Sequence, residues 1–161
     1  MTVTVEITIE ADGWSAQTGI QDLIRRAALA AASACGCRTG EIGVTLTSDD
    51  AIRVLNRDHR GFDKPTNVLS FPLPAAGEAG PRLIGDVVLA LETLAREAAA
   101  ERKPFSHHAA HLVVHGVLHL FGADHETDGE AERMEAREIE ILSALGIPDP
   151  YAAHADRAAV A

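Results

Sequence analysis

Hydrophobic and polar positions alternate from the start of the chain. In TVTVEITIE, residues 2–10, Val3, Val5, Ile7 and Ile9 fall on one side, and threonine or glutamate on the other. That two-residue period predicts a half-buried strand. The pattern then changes to a helical one over 16–35, where Ile20, Leu23, Ile24 and Ala27 share a face and Gly36 marks a stop. Ile42, Val44 and Leu46 alternate again and predict a second strand. Ser48 and Asp49 offer caps for a short helix through Ile52 and Leu55. GFDKPTN reads as a loop, VLSFPL (68–73) as a third strand and PAAGEAGP as a turn or flexible loop. RLIGDVVLAL (82–91) is a fourth strand, whose nearly continuous apolar run predicts burial on both faces.

Helical spacing dominates the remainder. A helix is predicted over 92–102, with Pro104 separating it from a second that Ser106 caps and that runs to Phe121. DGEAERMEAREIEILSALG forms a third, ended by Gly146 and Pro148, and the tail from Asp149 reads as loosely held. No repeat or linker divides the chain. The expectation is one domain over 1–161, a small mixed sheet covered by helices.

Composition adds limits. Net charge is −10, which argues against a large nucleic-acid surface, yet Arg53, Arg57, Arg60 and Lys64 fall in one short segment and leave room for a local basic patch. Cys35 and Cys37 stand too close for an easy disulfide and fit a reducing compartment. MTVTVEITIE has neither the basic region nor the apolar run of a signal peptide, and no apolar stretch is long enough to span a membrane, so a cytoplasmic location is expected.

The chemistry concentrates in HGVLHLFGADH, His115 to His125. Its histidines carry the ligand spacing of the long zinc-protease signature, including the glycine at its eighth place, here Gly122. On a helix His115 and His119 point the same way, Gly122 can reverse the chain, and His125 can return toward them. Three neutral imidazoles converging from one side make a zinc face with an open position. The second place of the signature, glutamate in peptidases, is Gly116. His111 extends the stripe by one turn, as a fourth ligand, a support for the ligands, a substrate-facing residue or a core residue. His107 lies a turn earlier still. Asp124 either orients a ligand imidazole or serves the turn. His59 and His154 are isolated.

Three blocks resemble the YbeY family of bacterial endoribonucleases and ribosomal-RNA maturation factors: HGVLHLFGADH, LNRDHRGFDKPTNVLSFP (55–72) and IGDVVLA (84–90). The resemblance covers roughly residues 50 to 146. It departs from the family pattern at His59, where an aromatic is usual, and at Ala123, where tyrosine is frequent. It implies an α+β fold related to the zincins, with a mostly parallel four-stranded sheet, one antiparallel edge strand and about five helices. It further implies one zinc held by three histidines. The activity implied is single-strand-specific endoribonuclease action on the small-subunit ribosomal RNA precursor, in 3′-end maturation and ribosome quality control, with the ribosome or its small-subunit proteins as partners.

The missing glutamate then has a chemical reading. A peptidase must protonate a poor amine leaving group, whereas phosphodiester cleavage builds negative charge on phosphoryl oxygens. Zinc can meet part of that demand, and an arginine the rest. Arg60 is the candidate catalytic cation because the resemblance implies an arginine at that place in the active-site region; without it, Arg60 reads as a surface arginine. Lys64, Asn67 and Ser70 are candidates to hold the phosphate backbone or shape the cleft wall, although turn and strand hydrogen bonding also accounts for Asn67 and Ser70. Asp86 is either a base or a buried strand carboxylate. VLSFPL is expected to run beside the metal as an edge strand, by analogy of fold alone. A metallopeptidase and a non-enzymatic assembly factor with structural zinc are the competing readings.

Overall fold

The computed structural model describes residues 2–73 and 82–152. The alternation at the start of the chain becomes strand β1, Thr2–Ile9, and the second alternation becomes β2, Thr39–Thr47. They pair in parallel, so Val3, Val5, Ile7 and Ile9 stand beside Gly40, Ile42, Val44 and Leu46. The remaining strands are β3, Val68–Pro72, and β4, Leu83–Ala90. The sheet order is β1-β2-β4-β3. β2 and β4 are parallel, and β3 is the antiparallel edge. The five α-helices are α1 (Ile20–Ala34), α2 (Asp49–Arg60), α3 (Leu91–Glu101), α4 (Phe105–Leu120) and α5 (Asp128–Ala144). The mixed, mostly parallel sheet and its helical cover are those expected. The predicted turn PAAGEAGP and His154 lie outside the described residues.

β4 is buried on both faces because each face meets a different layer. Val87 and Leu89 join the main core with α1, α4 and α5, while Val88 and Ala90 pack with Ile52 of α2 and Leu69 of β3. Side chains alternate along a strand, so neighbouring residues of one continuous apolar run serve opposite cores.

Three local expectations change. The first helix starts at Ile20, not at 16, because Gly19 adopts the left-handed conformation (φ 75°). Ahead of it, Asp12–Ala16 forms a short 3-10 turn that buries Trp14, whose Nε1 donates to the carbonyl of Thr47 at 2.9 Å. Helix α4 is capped by Pro104, not by Ser106. The Pro104 carbonyl already accepts the His108 N–H at 3.2 Å, and no side chain caps this end. Finally, Asp149 to Ala152 are described and turn back on the domain, so the part of the expected loose tail that can be seen is docked.

Helix α4 lies unusually close to the sheet. A Cβ on Gly116 would stand 2.7 Å from Val87 Cγ1 and 3.2 Å from Ser70 Oγ. A Cβ on Gly85 of β4 would stand 2.8 Å from Leu120 Cδ2. One glycine on the helix and one on the strand thus permit the approach. Ser70 and Val87 are register partners on the face beneath α4. The Ser70 hydroxyl donates to the Gly116 carbonyl at 2.9 Å, fastening the edge strand to the histidine helix.

Candidate metal centre

His115 and His119 project from α4 one turn apart. Phe121 and Gly122 then end the helix, with Gly122 at φ 93° and the Ala123 N–H returning to the Leu118 carbonyl at 3.1 Å. This reversal carries His125 back over the helix end. One ring nitrogen from each of His115, His119 and His125 lies within 4.8 Å of the others. The Nε2 atoms of His115 and His119 are 3.1 Å apart. Two nitrogens bound to one tetrahedral zinc at about 2.0–2.1 Å stand about 3.3 Å apart, so the spacing fits a shared ion of that size.

The protonation of the rings fits as well. His115 Nδ1 lies 3.3 Å from a carboxylate oxygen of Glu138. An ionised carboxylate only accepts, so the imidazole proton sits on Nδ1 and the Nε2 lone pair faces the cluster. Burial is the largest influence on Glu138 and opposes its charge, but hydrogen bonds from His111 and His115 outweigh it and hold its pKa at about 2. For His119, burial first and then the neighbouring His115 and His125 push the pKa below its ordinary value. The lowered pKa of His119 favours the neutral ring that a metal requires.

Glu138 was hidden from sequence reasoning. It lies on α5 among acidic residues that read as a solvated face, yet it is 1 % exposed. A signal existed: Met134, Glu138, Ile141 and Leu142 are the buried positions of α5, so the glutamate sits in its apolar stripe. His111 Nε2 approaches the same carboxylate at 3.2 Å, and the Tyr151 hydroxyl donates to it at 2.9 Å. His111 is therefore not a fourth member of the cluster. It helps hold the carboxylate that holds His115. Asp124 takes the turn role instead of orienting an imidazole: its Oδ1 accepts the His125 backbone N–H at 2.8 Å. The carboxylate that meets a ring nitrogen of His115 is Glu138.

The cluster opens into a cleft of about 550 Å³ lined by Arg60, Asn67, Ser70 and the three histidines, among others. β3 runs along its wall, as the analogy of fold anticipated. Arg60, at the end of α2, has no carboxylate partner among the described residues, whereas Arg53 pairs with Asp63 at 2.8 Å and Arg57 with Asp58 at 3.1 Å. Asn67 lines the cleft, but its Nδ2 donates to Glu97 at 3.1 Å, and Glu97 also meets His108 at 2.9 Å. Lys64 does not line the cleft. Its carbonyl accepts from Asn56 Nδ2 at 2.9 Å, and its Nζ lies 5.6 Å from the centre of the Phe62 ring. Asp86 is exposed and borders a different surface hollow with Glu6 and Glu41, so it is neither a base for this cleft nor a buried carboxylate.

The fold and the cluster define a class: an α+β protein with a three-histidine group that could hold a metal ion and no room for the peptidase glutamate. Comparison with known proteins narrows it. The family model described as Endoribonuclease YbeY matches residues 6–146, reaching back from the three sequence blocks to β1. A protein of that name from Bradyrhizobium sp. strain BTAi1 is 54% identical over 156 residues, covering 92% of each chain. One from Nitrobacter winogradskyi is 53% identical, covering 94% of this chain and 83% of its own. The solution structure of TM1509 from Thermotoga maritima shares the fold, with a TM-score of 0.53 at 24% identity over 88% of this chain and 91% of that one. The chain belongs to the YbeY family.

Proposed function

We propose that this protein is a zinc-dependent, single-strand-specific endoribonuclease that acts on the small-subunit ribosomal RNA precursor, in 3′-end maturation and ribosome quality control. The observation that carries the reading is the pairing, in one open cleft, of three converged imidazoles with an arginine that has no carboxylate partner among the described residues. Membership of a family whose relatives are named endoribonucleases supports it.

His115, His119 and His125 would hold the ion. When bound, zinc supplies Lewis acidity that polarises a phosphoryl oxygen and acidifies water. Glu138 keeps the His115 proton on Nδ1 and fixes the ring, with His111 and Tyr151 securing that carboxylate in turn. Arg60 binds the scissile phosphate through its guanidinium and stabilises the charge that grows on its oxygens. Ser70 acts on the wall: by holding Gly116 it sets the distance between the edge strand and the histidines. No carboxylate occupies the place of a peptidase base. A metallopeptidase is disfavoured both by the chemistry of Gly116 and by its packing.

The test is cleavage of a short single-stranded RNA from the small-subunit rRNA 3′ end by wild type, His119→Ala and Arg60→Ala. The expected result is cutting by wild type alone, with zinc retained in Arg60→Ala and lowered in His119→Ala. Equal cutting by all three would mark a contaminant and favour an assembly factor with structural zinc.

A further inference from the structure

We infer that Phe62 is a base-stacking platform which receives a nucleobase of single-stranded RNA beside the histidine cleft, with Arg60 and Lys64 holding the adjoining phosphates. This rests on the endoribonuclease reading and adds where the RNA lies.

Of the phenylalanine, tryptophan and tyrosine side chains, Phe62 alone is exposed, at 50 %. The guanidinium carbon of Arg60 lies 5.4 Å from its ring centre, and Lys64 Nζ lies 5.6 Å from it. Arg60 is the same residue that lines the cleft, so the ring continues the cleft surface outward. The segment's other two cations, Arg53 and Arg57, are engaged by aspartates, while these two meet no carboxylate among the described residues. An exposed ring with two cations beside it that meet no carboxylate among the described residues is an arrangement that binds single strands: every base has a π-face to stack, and every phosphate a charge to neutralise.

The turn that presents the ring is braced. Gly61 takes the left-handed conformation at φ 78° and ends α2. Lys64 N–H donates to the Phe62 carbonyl at 2.9 Å. Buried Asn56 donates its Nδ2 to the Lys64 carbonyl at 2.9 Å, and its own carbonyl accepts the Phe62 N–H at 3.4 Å. Arg53 grips Asp63 through two bonds, at 2.8 and 3.2 Å. These bonds hold Phe62 outward in water without burying it. A braced apolar ring at the mouth of a polar cleft loses little freedom on binding.

The experiment measures binding to full-length, zinc-loaded protein. The probes are a cleavage-resistant 2′-O-methyl oligoadenylate of about eight nucleotides, within the span of known single-strand sites, and an equally long sugar–phosphate oligomer without bases. Phe62→Ala is expected to weaken oligoadenylate binding by about ten- to a hundredfold and to leave the base-free oligomer unaffected. In Phe62→Trp, the affinity should be retained and the indole fluorescence quenched by oligoadenylate but not by the base-free oligomer. Equal binding by wild type and Phe62→Ala, or equal loss for both probes, would overturn the stacking role and leave the nuclease reading standing. Capture of a basic protein lost in Phe62→Ala, with RNA binding intact, would reassign the ring to a protein partner. Failure of the wild type to bind either probe would remove the nuclease reading together with this one.

Discussion

His115 faces two partners at once: its Nδ1 meets Glu138 at 3.3 Å, and its Nε2 meets that of His119 at 3.1 Å. The first contact decides which nitrogen carries the proton, and the second shows where the freed lone pair points. A buried glutamate from α5 thereby sets the ring orientation in a candidate metal centre built on α4.

Glu138→Gln keeps the shape of the side chain and removes its charge. Metal affinity is expected to fall about 10- to 100-fold, as for other carboxylates that orient a ligand imidazole. Competition against a chromogenic chelator measures it. Unchanged affinity would mean that Glu138 serves packing alone.

Removing the metal should lower stability without unfolding the domain, because the apolar core does not depend on the cluster. An ion present at 100 times its dissociation constant adds about 2.7 kcal/mol. At about 2–4 °C per kcal/mol, chelation should lower Tm by several degrees. His119→Ala should start near the chelated value and respond little to chelator. A calorimetric scan of the four samples decides the matter.

Gly116→Ala tests the close approach of α4 to the sheet. Alanine favours a helix by about 1 kcal/mol over glycine, but its Cβ would press on Val87 at 2.7 Å. Overpacking costs about 1–3 kcal/mol, so a net loss of stability is expected in denaturant titration. Gly116→Glu, which restores the peptidase letter, should lose far more stability and gain no peptidase activity.

Asp49 links two helices. Its carboxylate accepts the Thr93 N–H at 3.0 Å and pairs with Arg96 at 2.8 Å, while Glu92 accepts the Asp49 N–H at 2.6 Å. Burial raises its pKa, and the Arg96 and Thr93 hydrogen bonds more than offset this, so the net shift is downward from 3.8. A depressed folded pKa stabilises the protein above the unfolded value, and that stabilisation is lost as pH falls through the folded one. Asp49→Asn can still cap the helix but loses the ion pair with Arg96, so it should cost at most about 1 kcal/mol near neutrality, the range for an exposed pair. The gap between wild type and variant should close as pH drops below 3.8, as followed by urea titrations at several pH values.

Much of this was legible because it is periodic or local. The alternation of Val3, Val5, Ile7 and Ile9 located β1, and the apolar run of β4 disclosed a strand between two cores. The offsets of His115, His119 and His125, with Gly122 between them, predicted the turn and the convergence that the structure displays. What escaped depends on distance in sequence. Glu138 is linked to His115 only through the packing of α5 on α4, whereas Asp124 is next to His125 in the sequence and was the nearer carboxylate to consider. Trp14 was missed because a five-residue 3-10 turn has too short a period to register.

The contact of Tyr151 with Glu138 orders events in time as well as in space. Arg60 and the edge strand leave the ribosome long before α5 does. A nascent chain stopped after His125 has its three imidazoles but neither the carboxylate that sets the His115 proton nor the hydroxyl that secures it. The support of the histidine cluster is thus complete only when the segment through Tyr151 has folded back.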